Sequence, residues 1–210
     1  MNVKTGKAAR KPAGKAGRKA EQSETTRKAL LDAARELFAE RGYTAVSTEE
    51  IVQRAGVTRG ALYHHFRDKQ DLFRAVFERL ERELAERIAM AALAVPDPWQ
   101  QQVAAVEAYL DVCLEPAVHR IALVDAPSVL GLATWREIEA TYGLALVRTG
   151  LQSVREAGLI AEQPVEPLAH LILGALNEAA LVIAHADDRA AARAEMGASV
   201  ERLLEGLRVG

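Results

Sequence analysis

The sequence predicts an all-α chain, on three observations. No window sustains the alternation a half-buried strand needs, β-branched residues are scattered rather than clustered, and from Ser23 onward apolar residues recur at helical spacing. Half of the 210 residues are apolar and 27% are charged, ordinary globular usage that excludes a wholly disordered or collagenous chain. The length suits one large or two small domains with ample chain for a core. No repeat of 20 to 50 residues is visible.

The elements follow in order. Leu30, Ala34, Leu37 and Phe38 form one apolar stripe and Gly42 is a stop signal, which predicts a first helix over about 23–41. Ser47-Thr48-Glu49-Glu50 fits a capping box, so a second helix starts there, buries Ile51, Val52 and Ala55, and ends at Gly56 after about two turns. Thr58 caps a third, short helix running to about His65. Asp68 caps a fourth, whose Leu72, Phe73, Val76, Phe77, Leu80, Leu84 and Ile88 face inward and which stops before Pro96. At ~1.5 Å per residue that rod is long enough to join two regions of the molecule. Beyond it Pro98, Pro116, Pro127, Pro164 and Pro167, with Gly131 and Gly158, divide helices of about 98–114, 117–126, 132–156, 166–186 and 188–207. The expected architecture is about nine helices: a basic flexible arm over 1–22, a three-helix helix-turn-helix domain over 23–70, and a C-terminal helical ligand-binding and dimerisation domain over 71–210.

Charge is distributed along the chain in a gradient. Residues 1–20 carry a net +7, residues 21–80 are balanced and residues 81–210 carry −9, within an overall −2. The front attracts polyanions and the back repels them, so contact with nucleic acid is expected at the front only. Met1 to Ala20 holds too little apolar surface to offset the entropy of ordering and is expected to be a mobile arm, either a solvated tail or a reach toward phosphates or a minor groove.

Cys113 is the sole cysteine, so no internal disulfide is possible, and with no signal-peptide pattern this points to a cytoplasmic protein. The greasiest stretch, 168–186, carries Asn177 and Glu178 at its centre and His170 and His185 near its ends, and reads as a buried helix rather than a membrane span. No cofactor is implied. The adjacent His64 and His65 point to different sides of a helix with no third ligand, so no metal is expected.

The unit from Ser47 to His65 is a helix, a Gly turn and a second short helix, the plan of a major-groove reader. Thr58, Arg59, Gly60, Tyr63, His64 and Lys69 place hydroxyl, guanidinium, imidazole and ammonium donors over little more than two turns, while Ala61, Leu62 and Phe66 can face the core. The string TAVSTEEIVQRAGVTRGALYHHFRDKQDLF, with ARELFAERGY before it, strongly resembles the DNA-binding domain of the tetracycline-repressor (TetR) family of bacterial transcriptional regulators. The resemblance covers about 23–73 and implies a homodimer of all-α protomers that binds a palindromic double-stranded DNA operator and, usually, represses until a small molecule binds the C-terminal domain. Carried over by position, DNA contacts fall on Thr48, Thr58, Arg59, Gly60, Tyr63, His64 and Lys69. Arg59 suits guanine or phosphate equally well. For Tyr63, His64 and Lys69 the alternatives are packing or plain solvation.

The stretch from His119 to Ile160, followed by 168–188, is similar to one recurrent C-terminal type within the family and names no effector. By position the last two helices correspond to those of the family's dimeric four-helix bundle, with Leu171, Ala175, Ala179, Val182, Leu203 and Leu207 as the expected seam. Asn177 and Glu178 need polar partners, across the core or dimer interface or at the lip of a cavity. Tyr109, Cys113, Trp135 and Asn177 are the candidate lining of a largely apolar effector pocket. An enzyme lacks support because no phosphate loop, HExxH, CxxC or GxSxG occurs, and an architectural DNA protein has no use for an acidic C-terminal portion of 130 residues.

Overall fold

The computed structural model describes residues 15–209. Among them ten α-helices follow one another: α1 (Lys15–Arg41), α2 (Thr48–Ala55), α3 (Arg59–His65), α4 (Lys69–Leu93), α5 (Pro98–Val112), α6 (Ala126–Leu130), α7 (Leu132–Glu139), α8 (Ala145–Glu156), α9 (Val165–His185) and α10 (Arg189–Glu205). A π-helical segment, Val118–Asp125, runs directly into α6, and a second, Ala140–Leu144, joins α7 to α8, so the described chain makes nine continuous rods. Pro127 does not end its helix as expected. It sits where the π-helical segment passes into α6, inside one continuous rod.

One end differs from the expectation. α1 begins at Lys15, not near Ser23, because KAGRKAEQ is rich in good helix formers even though it buries nothing: residues 17–22 stand exposed on a helix that continues into the packed domain. Residues 1–14, the rest of the expected arm, lie outside the described residues.

The caps fall where the sequence put them. The Glu50 N–H donates to Ser47 Oγ at 3.3 Å and the Ser47 N–H donates to Glu50 Oε2 at 2.9 Å, closing the capping box. Gly56 takes the left-handed conformation (φ 65°) that lets α2 stop and the chain turn sharply into α3. Thr58 Oγ1 accepts from the Ala61 N–H at 3.2 Å, and Asp68 Oδ1 accepts from the Asp71 N–H at 2.8 Å. Asp97 and Asp188 cap α5 and α10 in the same way.

Two cores form. The first gathers Leu30, Phe38, Ile51, Leu62, Phe73 and Phe77 around α1 to α4 and continues through Leu84 to Val118, Ile121, Ala126 and Ile138, so the N-terminal three-helix unit is welded to the π-helical segment of the C-terminal domain. At its centre Phe38, Tyr43 and Phe73 meet edge-on or tilted at 5.1–5.8 Å between ring centroids. The second core packs Trp99, Leu110, Leu151, Val154, Leu176, Ile183, Val200 and Leu204 among α5 and α8 to α10. α4 runs the length of the boundary between them.

A polar joint reinforces the weld. The buried Asp125 accepts from the Tyr43 N–H at 2.7 Å, while the Arg120 guanidinium lies over Gly42. Gly42 has φ 79°, a conformation that favours glycine, and a Cβ there would push the Arg120 guanidinium aside. Arg120 Nε reaches only within 3.5 Å of Asp125 and forms no hydrogen bond.

Candidate functional site

The outer face of the α2–α3 unit is built by the two caps and one buried leucine. Leu62, fully buried, pins α3 to the core, and helical geometry then turns Arg59, Gly60, Tyr63 and His64 outward. Tyr63 is 44% exposed, a large aromatic left in solvent on a helix of seven residues. The Arg59 guanidinium lies 5.6 Å from the Tyr63 ring and pairs with Glu49 at 2.9 Å, so it is tethered over α2. Thr48, in the first turn of α2, donates its hydroxyl to Glu49 at 3.2 Å. Glu49 is the residue that sequence reasoning passed over: it holds both Thr48 and Arg59 and competes with a phosphate for each. An exposed pair of this kind contributes little to stability and exchanges readily for another anion.

Lys69 is placed differently from the expectation of a free phosphate ligand. Its ammonium donates to the carbonyls of Tyr43 and Val46, each at 2.8 Å, and sits 4.0 Å over the Tyr43 ring, so two of its three donors tie the α1–α2 loop to α4. Burial lowers its pKa. His64 and His65 stack edge to face at 5.3 Å, and among the described residues no group of three His, Cys, Asp or Glu gathers as a metal site would require.

In the C-terminal domain the two cores leave between them a cavity of about 360 Å³. α4 forms one wall with Glu81, Leu84, Ala85 and Ile88; α5, α7, α8, α9 and α10 supply the others. Tyr109, Cys113, Trp135 and Asn177, residues far apart in sequence, all line it. The Tyr109 hydroxyl donates to Asn177 Oδ1 at 3.2 Å, and the Cys113 thiol donates to the Tyr109 carbonyl at 3.2 Å. Burial pushes the thiol up to about 12 and raises the phenol well above its ordinary value.

Two carboxyls also line the cavity, and nothing in their sequence context marks them. Glu81 is pushed up to about 8 by burial and by the neighbouring Glu139; Glu139 is pushed up to about 7 by burial, against the pull of a hydrogen bond from Asn177. Both sit in helices whose other glutamates are solvent-facing, so only the helical phase relative to the cavity could have marked them out.

Comparison with known proteins identifies this arrangement. Residues 30–76 match the family described as bacterial regulatory proteins, tetR family, and residues 99–207, just over half the chain, match the tetracyclin repressor-like C-terminal domain. The chain belongs to the TetR family. A solved TetR-family regulator from Pectobacterium atrosepticum is 38% identical and superposes with a TM-score of 0.80 over 90% of this chain and 97% of that one. The regulator AcrR of Shigella flexneri is 44% identical over 66 residues, 31% of each chain, and the TetC protein of transposon Tn10 in Escherichia coli is 31% identical over 57% of this chain and 58% of its own length. These curated relatives are thus matched over about a third to somewhat more than half of their lengths. Two structures share the fold at lower identity: RolR bound to resorcinol (22%, TM-score 0.69, 88% and 89% of the two chains) and FadR of Bacillus subtilis bound to stearoyl-CoA (19%, TM-score 0.71, 85% and 98%). As a TetR-family member the protein is a DNA-binding transcriptional regulator and not an enzyme.

In this TetR-family protein the expected dimer seam needs correction. Leu171 (72% exposed), Val182 and Leu203 (61%) do stand out from the protomer, but Ala179 is fully buried in the protomer's own core, and Ala175 and Leu207 are half-buried, Leu207 against that same core. The i, i+4 reading drifted inward around the helix; the exposed line on α9 is Leu171, Gly174, Glu178 and Val182. Glu178 is therefore not the buried acid expected beside Asn177, since adjacent helical residues point ~100° apart, one to the cavity and one outward. α9 is long and apolar enough to cross a membrane, the one such helix among the described residues, yet its inner face packs into the domain core.

Proposed function

We propose that the protein is a ligand-responsive repressor that binds a palindromic operator as a homodimer and is released by a small, largely apolar effector. One observation carries this reading: α4 is at once the support of the DNA-facing unit, through Lys69 and Phe73, and a wall of the cavity, through Glu81, Leu84 and Ile88. A ligand that fits better with α4 displaced moves α3, and two α3 helices must stay ~34–36 Å apart to enter successive major grooves. Only a ligand with different affinities for the two positions of α4 can do this. Thr48, Thr58, Arg59, Gly60, Tyr63 and His64 are the proposed DNA contacts, with Lys69 positioning the loop beneath them. Leu171, Val182 and Leu203 are the core of the proposed dimer face. That RolR is solved with resorcinol and the B. subtilis FadR with stearoyl-CoA supports a small-molecule ligand for this chain as well.

The test is selection of bound duplexes from a randomised pool by the full-length protein. A palindrome with half-sites about one helical turn apart, preferred by ~10³ or more over other duplexes and bound by a dimer in sedimentation, is the expected result. Uniform affinity for all duplexes, or a monomer on DNA, overturns it.

A further inference from the structure

Resting on the reading of this cavity as the effector site, we propose that the effector is a lipophilic organic cation, an amine or quaternary ammonium on an aromatic or alkyl body, whose charged head lies between Glu81 of α4 and Glu139 of α7. The cavity's lining is apolar apart from a few groups, and no Lys, Arg or His contributes to it. Glu81 is half-buried and opens into the cavity, and among the described residues it makes no hydrogen bond or ion pair. Glu139 has the Asn177 amide and, outside the lining, the charge of Arg136 on its own helix. Two carboxyls that feel each other in a mostly apolar chamber, with no basic side chain in its lining, form a site with surplus acceptors. An anionic ligand would set its charge beside two acids that already resist ionisation, and a neutral alcohol offers them no counter-charge. A monocation supplies that counter-charge, and the aromatic rings of Tyr109 on α5 and Trp135 on α7 line the same cavity.

The placement also accounts for regulation. Glu81 belongs to the helix that carries the DNA-facing unit, whereas Glu139 belongs to α7, so a cation held by both draws on α4 directly. The groups that face Glu81 are Glu139 from α7 with Arg136 beside it, Tyr109 and Cys113 from α5 and, through Glu139, Asn177 from α9. Because both carboxyls resist ionisation in the empty cavity, a permanent cation displaces protons as it binds near neutral pH.

The test uses the full-length protein and three probes with one phenylhexyl body, ending in trimethylammonium, hydroxyl or carboxylate. Binding is measured by calorimetry in two buffers of different ionisation enthalpy, and operator release by anisotropy. The ammonium is expected to bind at least ~10-fold tighter than the alcohol and to release protons, with the carboxylate weakest. Glu81→Gln is expected to cut that advantage to ~3-fold or less while the alcohol's affinity holds; Glu139→Gln serves as the second variant. Equal binding of alcohol and ammonium, tighter binding of the carboxylate, or no proton release overturns the cation assignment. If all three probes bind equally and still release DNA, the cavity remains an effector site without this selectivity. If none binds, the proposed function falls with it.

Discussion

The N-terminal and C-terminal portions of this chain are both helical, yet one is filled and the other is hollow. Around Phe38, Tyr43 and Phe73 the aromatic rings pack against one another, and the polar groups beside them, Asp125 and Lys69, are hydrogen-bonded to backbone. Between α4, α5 and α7 to α10 about 360 Å³ stays open, with two carboxyls, a phenol and a thiol turned into it. A DNA reader needs fixed side-chain geometry, which dense packing gives. A sensor needs room and two positions for its walls, which dense packing forbids.

The largest expected effect breaks the comparison at its stiff end. Phe73→Ala empties the centre of the filled core and should cost ~3–5 kcal/mol in urea unfolding. Ala105→Leu, pointing more atoms into the cavity, should stay within ~1 kcal/mol while abolishing ligand binding. Equal costs would mean that the cavity closes in solution.

Next come the DNA contacts. Arg59→Ala should weaken operator binding by ~1–3 kcal/mol, or roughly 5- to 150-fold, with the thermal midpoint unchanged because the side chain is exposed. Glu49→Gln should act in the opposite direction, strengthening binding by freeing Arg59 and removing a charge that repels phosphate. Anisotropy at one fixed salt concentration reads both, and a shift of the same sign for the two variants would contradict the tether.

The smallest effect is electrostatic and has opposite signs in the two regions. Glu50 is held down to about 2, chiefly by the Ser47 N–H and then by Arg41, so its contribution is present above its ordinary 4.5 and is lost as pH falls from there toward 2. Glu81 and Glu139 are raised from 4.5 to about 8 and about 7, so folding favours their protonated forms; that contribution is full below 4.5 and is lost as pH rises through 7 to 8. Amide exchange resolved by helix should therefore show α2 loosening first in acid and α4 and α7 loosening first in mild alkali. Glu81→Gln should flatten the alkaline response and leave the acid one alone.

Much of this was legible in the residues. Ser47, Gly56, Thr58 and Asp68 act on their own few neighbours, so caps and turns could be located from spacing alone, and the motif around them named the family. The lining of the cavity was legible only in part. Tyr109, Cys113, Trp135 and Asn177 stood out as polar or aromatic exceptions in apolar helices, whereas Glu81 and Glu139 look like any surface glutamate among ERLERELAER and WREIEATYG. Of the expected seam, Leu171, Val182 and Leu203 are exposed and Ala179 is buried, since an apolar helix with no wet face carries no phase signal of its own.

The sequence by itself determined the capped helix ends and the DNA-facing unit, because hydrogen-bonded caps, glycine conformations and apolar periodicity operate within a turn or two of chain. Only the tertiary structure decided which acids were withdrawn from water, where Lys69 spent its donors and which side of α9 was left uncovered. Those outcomes depend on how rods distant in sequence rotate against one another, and a rotation of one residue, ~100°, exchanges a solvent face for a cavity wall.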